Sequence, residues 1–174
     1  MVDGRWIWQV FLIDEMKLVS FLYQDREGFG FVRDDIIFPL HDLDKRLPEV
    51  IDPFLKEWDA LLPLAQEAER KVARDPHFQK SGLAMDRISL LAPVPRPGSL
   101  RDGYAFRQHV EMARKNRRLP MIPEFDRVPV FYFSNHRSVR GPGKVPCMPD
   151  HFKQLDYELD VAILISKQGR NIQA

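Results

Sequence analysis

The stretch Met16–Leu22, reading MKLVSFL, followed across a charged turn by Gly28-Phe29-Gly30-Phe31-Val32, decides the fold of the first half of this chain. Both runs are short, and both are rich in β-branched and aromatic residues. Side chains with a period of two that fit a pleated surface read as strands, and the polar residues between them as a hairpin turn. Arg33-Asp34-Asp35 makes a second turn, after which Ile36-Ile37-Phe38 forms a third short strand ending at Pro39. Proline lacks the N–H that a ladder needs, so that strand stops there. Meandering short strands of this kind suit a compact β-barrel or sandwich.

Working outward, the residues Ile51, Phe54, Leu55, Trp58, Leu61, Leu62, Ala65, Ala68 and Val72 recur at helical spacing and make one apolar stripe. Pro63 interrupts it. Its ring clashes with the preceding turn, so the stripe is expected to fold as two helices or one sharply kinked helix, with Pro63 near the start of the second piece. On the other side of the hairpin, Trp6 to Ile13 is apolar but runs directly into Asp14 and Glu15 without a small-x-small cleavage pattern. Residues 1–15 therefore read as an extension placed before the fold proper.

The chain of 174 residues carries 26 Lys and Arg against 25 Asp and Glu, a formal net charge of +1. That balance gives no reason to expect nucleic acid or an anionic membrane as principal partner. No apolar run approaches the ~20 residues that span a bilayer. The single cysteine, Cys147, excludes an internal disulfide framework and suits a reducing, cytoplasmic setting.

Ala92-Pro93-Val94-Pro95-Arg96-Pro97-Gly98 favours extended backbone and marks a domain boundary. Beyond it, Asp102 reads as the cap of a helix from about Gly103 to Arg117, whose basic end Arg114-Lys115-Arg117-Arg118 complements the helix dipole. Val128 to Phe133 reads as a strand, Gly141-Pro142-Gly143 as a turn, and Leu155 to Ile165 as a further strand.

Two constellations carry chemistry. Asp102, Tyr104, His109 and Arg118 bring a carboxylate, a phenol, an imidazole and a guanidinium to one predicted helix and its start. Asp102 and His109 stand seven apart, about two turns, and an imidazole that titrates near neutrality makes His109 the natural general base. On spacing alone the same residues read more readily as a capping aspartate, packed aromatics and solvated cations. The second constellation is Asp156, Glu158 and Asp160, which alternate along the predicted strand and so share one face. Carboxylates crowded on one face suit a hard divalent cation, or simply a solvated acidic surface. His41, His77, His136 and His151 fall in no ligand spacing, no Gly-x-Ser-x-Gly elbow occurs, and Gly28-Phe29-Gly30 lacks the third glycine and following helix of a nucleotide site.

Five segments in order resemble the fumarylacetoacetate hydrolase family: Leu91 to Pro97, Asp102-Gly103-Tyr104 with Arg107-Gln108-His109, Met121 to Phe125, Pro129 to Asn135, and Asp156 to Asp160. The similarity runs from Met16 to Ala174. It implies a mixed α+β, mainly β fold, with a small SH3-like N-terminal domain over residues 16–92 and the first part of a mixed-β catalytic domain over residues 93–174. It also implies a dimer in the cytoplasm, acting in a pathway such as aromatic amino acid catabolism. By resemblance Asp102, Glu158 and Asp160 hold Mg²⁺ or Ca²⁺, with Mn²⁺ as a substitute, and His109 activates water. Tyr104, Arg118 and Tyr132 hold the oxygens and carboxylate of a small diketo acid of fumarylacetoacetate or acylpyruvate type, whose C–C bond is hydrolysed through a metal-held enolate. The same site in the family also serves keto-acid decarboxylation, isomerisation and hydration, and a non-catalytic binding or dimerisation module is the rival from another class. Asp160 departs from the pattern, since the family has glutamate there. A further carboxylate ligand is expected beyond Asn171–Ala174, so the chain reads as truncated and as supplying part of the site.

Overall fold

The structure is a computed structural model that describes residues 11–13, 16–146, 153, 160–165 and 167–173. Its described residues form a mixed α and β structure framed by an antiparallel sheet. They divide into two compact units, residues 1–95 with 140–174, and residues 96–139.

In the first unit, β1 (Phe11–Ile13), β2 (Met16–Tyr23), β3 (Arg26–Arg33) and β4 (Ile36–Pro39) run as a meander, as the alternation predicts. The β2–β3 and β3–β4 connections are two-residue loops closed by the pairs Tyr23↔Arg26 and Arg33↔Ile36. Gln24, Asp25, Asp34 and Asp35 all have φ between 50 and 61. Positive φ at both central residues is the turn whose twist matches that of the flanking strands. Gly30 is required where β3 meets β4, because a Cβ there would lie 2.3 Å from the carbonyl oxygen of Phe38.

β2 divides its side chains between two cores. Met16 and Leu18 join Phe29, Phe31 and Phe38 on one face, while Val19 and Phe21 join Ile37 on the other. The first face is covered by helices. After α1 (Leu40–Leu43), α2 (Ile51–Lys56) supplies Phe54, and α3 (Trp58–Arg74) supplies Ala65, Ala68 and Val72, all buried. Phe54 packs on Phe29 with ring centroids 5.0 Å apart and meets Trp58 edge-on at 5.5 Å. Small alanines on α3 let the helix approach the sheet closely, while aromatic rings fill the remaining space. The helical stripe does break into two pieces, but at Glu57, which leaves Pro63 within the second turn of α3. As the sixth residue of α3, Pro63 forgoes the bond an N–H there would donate to Asp59 O, and the break at Glu57 confines that loss to the N-terminal end of the helix.

The second core closes as the sheet curls. After α4 (Pro76–Gln79), β5 (Leu83–Ala84) pairs with β4, and β6 (Ser89–Leu90) returns to β2 through Phe21↔Leu90 and Leu22↔Ser89. The buried Ser20 hydroxyl then donates to the carbonyl of Pro93 at 2.9 Å, and Leu91 N donates to Ser20 O. A buried hydroxyl without a partner would be costly, so this bond fixes where the chain leaves the sheet.

Two expectations change in this unit. Phe11–Ile13, read as lying before the fold, pair antiparallel with β2 through Phe11↔Leu18 and Ile13↔Met16. β6 covers β2's outer edge only at Phe21 and Leu22, so β1 meets the backbone groups that Met16–Leu18 present on that edge. The strand predicted from Leu155 to Ile165 is not formed over Asp160–Ile165, which pairs with nothing among the described residues and leaves Val161, Ile163 and Ile165 exposed. Alternating apolar residues make a strand only where a ladder partner exists. Residues 154–159 lie outside the described residues.

Candidate functional site

The second unit carries most of the residues singled out from sequence. Its frame is a short antiparallel pair, β7 (Arg101–Gly103) with β8 (Phe131–Phe133), in which Arg101 faces Phe133 and Asp102 faces Tyr132. Directly opposed side chains on one face are the unit of interaction in a sheet. Here both pairs are used. The Arg101 guanidinium lies over the Phe133 ring, 3.6 Å from its centroid, and Tyr132 Oη donates to Asp102 Oδ2 at 2.6 Å. Backbone bonds from Tyr104 N to Val130 O and from Ser134 N to Leu100 O extend the pairing at both ends.

Asp102 is therefore a strand residue. The helix expected from Gly103 begins at Arg107 and ends at Asn116 as α5, with Phe106 preceding it in an extended conformation. The seven-residue interval between Asp102 and His109 thus crosses a strand, a bend and one helical turn. An aspartate before Gly-Tyr reads as a cap because capping is what short acidic side chains most often do ahead of a helix. The cross-strand bond to Tyr132, thirty residues on, competes successfully for it.

Tyr104 sits in the bend, and its ring meets the His109 ring edge-on, centroids 5.6 Å apart and planes at 80°. His109 lies on the first turn of α5, next to Val110, which is buried and anchors the helix. The structure thus forms two contacts within four predicted residues, Asp102 with Tyr132 and Tyr104 with His109. Arg118 is left at the far end of α5, beyond the helix, in a left-handed residue with φ 57.

The second constellation is less complete. Glu158, like Asp156, falls outside the described residues. Asp160 is exposed and belongs to the other unit. Among the described residues no group of three His, Cys, Asp or Glu gathers closely enough to hold a metal ion. Asp102 supplies one placed, partly covered carboxylate, whose hard oxygens suit Mg²⁺, Ca²⁺ or Mn²⁺ in kind. No helix among the described residues is long and apolar enough to cross a membrane.

Sequence reading missed the ties of Arg107, which opens α5. Its Nε lies 2.9 Å from Glu111 Oε1, and its Nη1 donates to Asp126. The four-residue interval to Glu111 is a legible helical ion-pair spacing, whereas nothing local signals Asp126.

Residues 99–174 match the family model described as fumarylacetoacetate (FAA) hydrolase C-terminal. The chain is 27% identical over 139 residues to oxaloacetate tautomerase Fahd2a, mitochondrial, of Rattus norvegicus, covering 79% of this chain and 40% of that protein. It matches the Homo sapiens oxaloacetate tautomerase FAHD2A, mitochondrial, to the same extent. The Xenopus laevis oxaloacetate tautomerase fahd2, mitochondrial, is 26% identical over 163 residues, 91% of this chain and 46% of that protein. Over residues 99–174 the chain is similar to the fumarylacetoacetate hydrolase family. It spans about two fifths of the length of the rat and human relatives. The family match includes β7, α5 and β8, and so includes Asp102, Tyr104, His109, Arg118 and Tyr132.

Proposed function

We propose that this chain contributes the base and carboxylate ligands of a site that converts a small 2-oxo acid to its enol, with oxaloacetate-type tautomerisation as the reaction. The observation that carries this reading is a pair of contacts on β7, β8 and the start of α5, Tyr132 on the Asp102 carboxylate and Tyr104 on the His109 ring. Keto–enol exchange needs no nucleophile. It needs a base that takes a proton from the carbon beside the carbonyl, while the electron pair moves to the carbonyl oxygen and that oxygen gains a proton. His109 is the group suited to move the carbon-bound proton. Tyr104 would donate its phenol O–H to a substrate oxygen, Tyr132 would contact substrate from beside the Asp102 carboxylate that holds its own O–H, and Arg118 would clamp a carboxylate in the bidentate manner a guanidinium allows.

Asp102, with Glu158 and Asp160, would hold the divalent cation, Mg²⁺ or Ca²⁺. Such an ion, when bound, polarises the oxo group and lowers the cost of the enolate charge. Tyr132 fixes the rotamer of Asp102 in advance, which is the support that a metal carboxylate commonly receives from a neighbouring donor. The SH3-like character of the N-terminal sheet and a homodimeric assembly belong to the same reading. A reducing compartment suits Cys147; the relatives' names point to mitochondria as an alternative to the cytoplasm.

The second reading is hydrolysis of the C–C bond of a fumarylacetoacetate or acylpyruvate, favoured by the description of the matching family model. It uses the same base to activate water, and the same enolate is the leaving group. The test follows oxaloacetate keto–enol interconversion and acylpyruvate cleavage with Mg²⁺, with and without chelator, in the wild-type protein and in His109→Ala. Chelator-sensitive tautomerisation above the Mg²⁺-only background, reduced roughly a hundredfold or more in His109→Ala, is the expected result. Undiminished turnover in His109→Ala would remove the assignment of the base, and cleavage without tautomerisation would favour the second reading.

A further inference from the structure

Arg107 occupies a position that helix electrostatics disfavours. It is the first residue of α5, where unpaired N–H groups give the helix end a partial positive charge, and the residue before it, Phe106, makes no side-chain capping bond. A guanidinium there adds like charge to an uncapped end. It is held instead by two carboxylates on two different elements. Glu111 meets its Nε one turn along α5, and Asp126, the last residue of the 3-10 turn Pro123–Asp126, accepts from its Nη1. The hydrogen bond to Asp126, with the charge of Glu111, holds the guanidinium above its ordinary range.

The connection that carries Asp126 is also fastened at the other end of α5. Leu119 N donates to Arg114 O at 3.0 Å, and Arg114 Nε donates to Pro120 O. The chain therefore leaves α5 and runs back to Arg107 before entering β8. Arg107 and Asp126 are half exposed, and exposed pairs of this kind add little to global stability. A planar fork gripped from two sides restricts orientation far more than it stabilises. The side chain closest to that restraint with a chemical role is His109, two residues on in the same turn, its ring edge-on to Tyr104.

We propose that Arg107 and Asp126 are positioning residues, their ion pair tethering the uncapped start of α5 to the Pro123–Asp126 turn and setting the direction in which the first turn of α5 presents the His109 imidazole. The inference rests on the reading of His109 as the base of the site.

The test has two arms. In the protein of residues 1–174, NMR of the His109 ring protons reports the edge-on Tyr104 ring through its ring-current displacement. Asp126→Asn is expected to collapse that displacement and Asp126→Glu to restore it. Arg70→Gln, which breaks the ordinary surface pair Arg70–Glu67, should leave it intact. In turnover of an oxo acid, Asp126→Asn should lower kcat roughly ten- to hundredfold, as small misplacements of a catalytic group do, with KM within about twofold. Unchanged His109 resonances in Asp126→Asn would overturn the proposal, as would a rise in KM at constant kcat. If the wild-type protein converts no oxo acid, the functional reading fails while the NMR arm still decides the positioning.

Discussion

Asp44 shows what one side chain contributes outside the site. It follows α1, and both of its oxygens are engaged by Arg46: Nε and the backbone N–H at 3.0 Å on Oδ1, and Nη2 at 2.6 Å on Oδ2. These hydrogen bonds, side-chain first, pull its carboxyl from 3.8 down to about 2. A folded-state value below the unfolded one means that the stabilisation is complete above about pH 4 and is lost as pH falls toward 2. Arg46 is largely exposed, so screening keeps the contribution to roughly 1 kcal/mol or less. Asp44→Asn should therefore lower the urea midpoint near neutral pH and match wild type in strong acid. A deficit of equal size at both extremes would show that shape rather than charge is at stake. At the same scale, the Asp102–Tyr132 bond explains a misreading. A residue's role is legible when its partner is local, as at Asp34 and Asp35, and illegible when the partner stands thirty residues away on a three-residue strand.

The elements divide along the same line. β2 and β3 were readable because alternation over eight residues is long enough to stand out, and the four residues of β4 because a charged turn and Pro39 bound them. β7, three residues long, is too short for alternation to register, β8 forms over the last three residues of the strand read across Val128–Phe133, and Asp160–Ile165 has the alternation but no paired partner among the described residues. The hairpin turns give a prediction at this scale. Gln24 and Asp25 hold φ of 50 and 61, a conformation that an ordinary side chain adopts at a cost and that asparagine and glycine favour. Gln24→Asn with Asp25→Gly should raise the unfolding free energy by about 0.5–1 kcal/mol. A lower thermal midpoint in that double variant would mean that Gln24 or Asp25 makes side-chain contacts that outweigh its backbone strain.

For the whole molecule, the two units are built differently. The first owns nearly all of the buried apolar side chains, including Phe29, Phe31, Phe54 and Ile51. Among the described residues of the second, Val110 is the buried apolar side chain, while Phe106, Met112, Phe131, Tyr132 and Phe133 are exposed. A unit with so little core keeps its shape through ladder bonds, ring contacts and the Arg107 fork, and such regions open most easily. That is also why the core of the first unit could be read from periodicity while the site of the second could not. Resemblance to the family supplied the candidate residues, and the structure supplied their pairing.

The site claim is tested most directly by Mn²⁺ titration of the protein with paramagnetic broadening followed by NMR, because broadening reports a weakly held cation even where turnover is slow. Resonances of Asp102, Tyr132, Tyr104 and His109 should broaden at the lowest Mn²⁺ concentrations, recover on adding Mg²⁺, and be spared in Asp102→Asn. Broadening that begins instead at acidic surface residues such as Asp59 and Glu67, or that persists around β7 and β8 in Asp102→Asn, would contradict the assignment of Asp102 as a metal ligand.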